Sequence, residues 1–190
     1  ETLEGMHLEF IRPVDTKREN HIGTSAIVLT GVRKEVGRML QMTKENVSLS
    51  FDAVLESSSE LLKKVDEKEE YIDFLNKEIC KYISKVIVNE TNRKDAKYMS
   101  ALFKVCGNLE RIGDHATNLC EYTQMMGEKG ISFSQTEMDE IRQMKEASLS
   151  ALNILSDIEK GDKELVKRIE KAEQQIDDMT EMFRQGQIDR

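Results

Sequence analysis

LFKVCGNLERIGDHATNLCEYTQMM, residues 102 to 126, sets seam residues at alternating three- and four-residue steps: Leu102, Val105, Leu109, Ile112, Ala116, Leu119, Thr123 and Met126. A repeat averaging three and a half residues puts one stripe of a helix against a partner helix. Asn92 and the charged Arg93-Lys94-Asp95 offer a start for this helix, and Gly127 and Gly130 offer its stop. The expected fold class is therefore all-α, a bundle of long helices.

Similar seams lie on both sides. Val36, Leu40, Thr43, Val47, Ser50 and Val54 predict a first helix from about Thr24 to Glu56, its stripe weakened by Thr43 and Ser50. Ser57-Ser58-Ser59-Glu60 offers a capping box, and Val65, Ile72, Leu75, Ile79, Tyr82 and Val86 carry a second helix to about Val88. Helices one and two then form a hairpin. Ser134-x-x-Glu137 is another capping box, opening a fourth helix to Glu159, and Gly161 and Asp162 separate it from a fifth that runs to the chain end. Residues 1–23 hold the one proline, Pro13, and lack sustained periodicity, so they read as a linker or docking arm.

Composition agrees. One Pro, ten Gly, no Trp and 34% charged residues favour solvated helices over strands. A net charge of −8 with few aromatics argues against nucleic acid as a partner. Cys80, Cys106 and Cys120 lie in apolar helical patterns without C-x-x-C spacing, so reduced core thiols are expected rather than a disulfide framework or a zinc knuckle. No run is apolar enough to insert into a membrane and no signal peptide is visible, while Glu1 in place of Met points to an excised fragment.

The chain also repeats itself. Val65 to Asp73, VDEKEEYID, recurs as Ile169 to Asp177, IEKAEQQID, at an offset of about 104 residues. Gln41-Met42 is echoed by Gln143-Met144. The order of helices one, two and three thus restarts as four, five and a missing sixth. The expected organisation is an arm at 1–23, a three-helix bundle at 24–130 and a partial second bundle at 131–190. An incomplete bundle leaves an apolar face, to be covered by a second copy in a homo-oligomer, by the arm, or by chain lying elsewhere.

Glu110, Asp114 and Asn118 stand at steps of four, on a stripe facing away from the Leu109/Ile112/Ala116 seam. Two carboxylates one turn apart can share a hard or borderline cation when a second pair faces them. Glu69 and Asp73 supply such a pair on helix two, and the repeat carries the same spacing at Glu173 and Asp177. The plainer alternative is a solvated acidic face. His115 is a phosphoacceptor, a metal ligand or, the preferred reading, a solvated bundle residue; His7 and His21 form no triad. Nothing resembles a strained, glycine-flanked nucleophile, and the chain is read as a non-enzyme. Gly107 and Gly113 fit close helix approach, and the ten Met fit core packing.

The stretch Leu109-Glu110-Arg111-Ile112-Gly113-Asp114-His115-Ala116-Thr117-Asn118 resembles the E-R-I-G-D-x-A-x-N signature of PhoU proteins. That resemblance implies tandem three-helix bundles whose acidic motifs hold iron or zinc clusters on the outside. It carries over Glu110 and Asp114 as metal ligands, Glu69 and Asp73 as the opposing pair, and Asn118 as a further candidate. Glu173 and Asp177 match half of a second, poorly formed site. His7-Leu8-Glu9-Phe10-Ile11 and Gly31-Val32-Arg33-Lys34-Glu35-Val36-x-x-Met39 resemble the entry to the PhoU-like tail of bacterial sodium/phosphate cotransporters. This second likeness implies a regulatory domain at the cytoplasmic face of the inner membrane, partnered by the transmembrane part of its own transporter chain. The alternatives are a stand-alone PhoU-type phosphate-signalling regulator or a metal-free helical scaffold. A phosphorelay bundle using His115 lacks its family's surrounding motif, and a di-iron enzyme would need E-x-x-H motifs on two helices, which are absent.

Overall fold

The computed structural model describes residues 5–12, 24–156 and 164–188, and within them helix is the regular secondary structure and there is no strand. Five helices follow one another: α1 Thr24–Glu56, α2 Ser59–Ile87, α3 Arg93–Glu128, α4 Gln135–Asn153 and α5 Leu165–Ile188. α1, α2 and α3 pack mutually, α4 lies on α1, and α5 lies on α4 and α3.

The seams form the core. Val36, Leu40, Val47 and Val54 of α1, Val65, Ile72, Leu75 and Ile79 of α2, and Leu102, Val105, Leu109 and Ile112 of α3 are all buried. Burying such side chains stabilises the fold by about 1.5–3 kcal/mol each. The two weak positions of α1 are buried as well, because each hydroxyl returns to its own helix: Thr43 Oγ1 donates to Met39 O at 2.8 Å and Ser50 Oγ to Asn46 O at 2.7 Å. On α2 the seam turns onto Ile83, which is buried, while Tyr82 and Val86 are half-buried.

The helix ends follow local chemistry. α1 stops in a Schellman turn, with Ser57 at φ 52°, Ser58 N–H donating to Ala53 O at 3.1 Å and Ser57 N–H to Val54 O at 3.4 Å. α3 ends in the same way with Gly130 at φ 70° and Ile131 N–H donating to Met126 O at 2.9 Å. The cap of α2 differs from expectation: Ser58 is the capping residue and its hydroxyl accepts from Leu61 N–H, so Glu60 is not in position to close a capping box. The box at Ser134 and Glu137 does form, and Asn92 caps α3. α4 ends at Asn153, short of Glu159, which lies outside the described residues, as do Pro13 and His21.

Residues 5–12 are held against α1 and α2 by a buried charge. Glu35 is 0% exposed. Its Oε2 accepts from the backbone N–H of Glu9 at 3.0 Å and of Phe10 at 2.7 Å. Its Oε1 accepts from Arg38 Nε at 2.9 Å and Nη2 at 2.6 Å. Arg38 also donates to His7 O at 2.7 Å and to the Tyr71 hydroxyl at 3.1 Å, so the desolvated pair is fully used. Gly31 lets the arm approach this closely, since a Cβ there would sit 2.8 Å from Phe10 O. Ile11 then enters the core at 5% exposure.

Candidate functional site

α2 and α3 pack side by side, which brings the pair Glu69 and Asp73 toward the pair Glu110 and Asp114. Glu69, Asp73 and Glu110 are half-buried and Asp114 is exposed, so the patch opens outward from the seams. Gly113 forms its floor: a Cβ at that position would lie 3.5 Å from Glu69 Oε2, which shows how closely the carboxylate rests on α3.

The charges oppose one another. Burial, followed by the charges of Asp73 and Asp114, pushes the Glu69 carboxyl up to about 7, with Glu110 adding to the same direction and the Asn46 amide counteracting it. Asp73 is also raised, by burial and by Asp114, while Lys77 pulls it back. Two amides supply the neutral donors. Asn46 Nδ2 donates to Glu69 Oε2 and to Val65 O, each at 3.3 Å, and Asn76 Nδ2 donates to Glu110 Oε2 at 2.9 Å. The Asn46 Oδ1 is buried without a hydrogen-bond partner.

These amides line the acidic patch, and the residue spacing did not single them out. Asn46 does carry a signal, because it continues the stripe Met39, Thr43, Ser50 at helical steps, and a polar atom there must find a partner inside. Asn76 stands on α2 three residues after Asp73, a position indistinguishable by pattern from any surface amide.

The other candidates fall elsewhere. Asn118 is exposed, one turn beyond Asp114. Asp177 is exposed on α5 and binds a cation of the protein itself, Arg111 Nη2 at 2.7 Å, which ties α5 to α3. The side chain of Glu173 lies outside the described ones. His115 is half-buried rather than solvated, and burial and Arg111 lower its pKa against the opposing pull of Asp114. Hard carboxylate oxygens suit a divalent cation. Among the described residues, however, no three His, Cys, Asp or Glu side chains gather around one point as ligands to a single ion.

The architecture is thus an all-helical bundle bearing an acidic patch across one helix pair. Residues 36–123, which run from α1 through α3 and contain both carboxylate pairs, match the family profile of the PhoU domain, so a PhoU domain is present in this chain. The chain is 27% identical over 167 residues to the phosphate-specific transport system accessory protein PhoU homolog 1 of Thermotoga maritima, covering 85% of this chain and 70% of that protein. It is 34% identical over 90 residues to a phosphate-specific transport system accessory protein PhoU homolog of Clostridium acetobutylicum, covering 47% of this chain and 40% of the relative. A Burkholderia protein of the same description is 26% identical over 122 residues, 64% of this chain and 49% of the relative. No solved structure matches the chain significantly.

Proposed function

We propose that this chain is a PhoU-type regulatory module of phosphate transport, acting by protein contact and not by catalysis, with the acidic patch on α2 and α3 as its cation-binding surface. The observation that carries the reading is the coincidence of the PhoU domain match with both carboxylate pairs, since Glu69, Asp73, Glu110 and Asp114 all fall within residues 36–123. The relatives named above are accessory proteins of phosphate-specific transport, which favours that role over the sodium/phosphate cotransporter tail expected from the N-terminal third. No helix among the described residues is long and apolar enough to cross a membrane.

A cation would offset the like charges that raise Glu69 and Asp73. No three of these side chains converge on a single ion, so iron or zinc would be held as a multinuclear site spread over Glu69, Asp73, Glu110 and Asp114, with Asn118 at the margin, and would supply the countercharge that the two amides do not. The test of the regulatory role is deletion of the gene from its host. Phosphate uptake should change, return with the wild-type gene, and fail to return with the four carboxylates replaced by Ala; unaltered uptake would reject the proposal. Elemental analysis of the purified protein decides the metal separately. Equal metal content in the wild type and in Glu110→Ala/Asp114→Ala would remove the site, and a wild type without metal would leave a metal-free scaffold.

A further inference from the structure

The charge of the chain is unevenly spread. Residues 24–38 and 77–104 hold ten Lys and Arg against four Asp and Glu, although the whole chain carries −8. The topology gathers these two stretches at one end of the bundle. α1 and α3 run parallel: the Arg33 guanidinium lies 5.5 Å from the centre of the Tyr98 ring, and further along Cys120 Sγ donates to Ser50 O at 3.4 Å. α2 runs against them, since Asn76 reaches Glu110 while Glu69 rests on Gly113. The start of α1, the end of α2 and the start of α3 therefore share the end of the bundle remote from the α1–α2 turn. Residues 13–23, which lead into α1, carry two acidic and two basic side chains and leave the balance unchanged.

Lys81 and Lys85 in the last two turns of α2, and Arg93, Lys94 and Lys97 at the start of α3, are all exposed. None of the five is ion-paired among the described residues. At the same end stand the two most exposed large apolar side chains of the described residues. Ile27, in the first turn of α1, is 76% exposed, and Val88, just past the end of α2, is 79% exposed.

We propose that this end of the bundle docks on an anionic lipid surface, with the five cations over the headgroup phosphates and Ile27 and Val88 entering the boundary between headgroups and acyl chains. The make-up of the patch selects that occupant. Four of the five cations are Lys, a hydrated point charge on a flexible stem, which is depleted from protein interfaces where Arg and aromatic residues are enriched. Two aliphatic side chains standing singly at helix ends build no pocket for a protein anchor, but they suit a fluid layer that needs no shape complement. Each Lys or Arg near such a surface brings about a five-fold gain in binding, and the attraction fades within a Debye length. The same field orients the molecule. Glu110 lies roughly 25 Å further along α3 than Arg93, so like charge turns the acidic patch away from the lipid while the basic end faces it.

The test is cosedimentation of the full chain with vesicles of equal parts phosphatidylglycerol and phosphatidylcholine, and with vesicles of phosphatidylcholine alone. The wild type should bind the first and not the second, and added salt should weaken it. Lys85→Glu/Lys94→Glu should lose more than about ten-fold in affinity. Lys63→Glu/Lys64→Glu makes the same change of charge at the opposite end of α2 and should stay within about three-fold of wild type. Ile27→Ser/Val88→Ser should weaken the binding that survives in high salt. Absent binding, equal binding to both vesicles, or an equal loss in the two charge-reversed pairs would overturn the proposal. So would a wild type that ignores the vesicles yet binds poly-glutamate or duplex DNA through Lys85 and Lys94, since the partner would then be an acidic protein or a nucleic acid. The two vesicle types are compared with wild-type protein, so a folding defect in any variant leaves the proposal open to refutation.

Discussion

Replacing Glu69 by Gln should stabilise the protein at pH 8 and do nothing at pH 4. The Glu69 carboxyl moves from an ordinary value of 4.5 to about 7 on folding, so the folded state holds a proton that the unfolded chain releases between those values. A folded-state pKa above the unfolded one contributes stability that is complete below pH 4.5 and is lost as pH rises through about 7. At about 1.4 kcal/mol per pH unit the full shift is worth roughly 3 kcal/mol. Solvent reaches this half-buried group, and screening reduces the figure to about 1.5 kcal/mol. Glutamine is neutral throughout, keeps an acceptor for Asn46 Nδ2, and adds a donor for the Asn46 Oδ1 that lacks one. Urea denaturation of both proteins at pH 8, 6 and 4 measures the difference directly. A gain that persists undiminished at pH 4, or no gain at pH 8, would refute the reasoning.

Three further changes test other parts of the structure. Glu35→Ala removes the acceptor of two backbone N–H groups and strands Arg38, and should cost about 3 kcal/mol in thermal or urea unfolding and speed amide exchange at Glu9 and Phe10. Ser57→Gly relieves a left-handed backbone at the end of α1 and should stabilise by about 1 kcal/mol in the same assay. Gly113→Ala sets a methyl in ordinary contact with the Glu69 carboxylate, 3.5 Å from Oε2, and adds to its burial, so NMR titration should find that group still raised and not returned to the ordinary carboxylate range.

How much of this is legible from residue order differs by level. The helices are, because seams such as Leu102 to Met126 repeat over many turns and their ends carry caps such as Asn92 and Ser134. The outward stripe of Glu110 and Asp114 follows from helical geometry alone. What the order of residues does not contain is the register of one helix on another. The seat of Glu69 on Gly113 and the amide of Asn76 on Glu110 both depend on how far α2 is slid along α3. The burial of Glu35 is intermediate: the residue lies on the stripe Val28, Val32, Met39, which marks it as inward-facing, but its partners come from an arm without periodicity. Asp177 shows the converse, since the repeat identifies its position while the α5 packing gives it Arg111 for company.

The clasp around residues 7–10 grips peptide groups. Glu35 takes the N–H of Glu9 and Phe10, and Arg38 takes the carbonyl of His7, so every one of these bonds is made by atoms that all residues except proline share. The address of the arm is therefore written largely on α1, in Gly31, Glu35 and Arg38, with Ile11 as the arm's own buried anchor. The side chains add to this grip, with Leu8 against the core, Glu9 beside Arg38 and the Phe10 ring under Lys34, but a proline at 9 or 10 is the substitution the backbone bonds would reject.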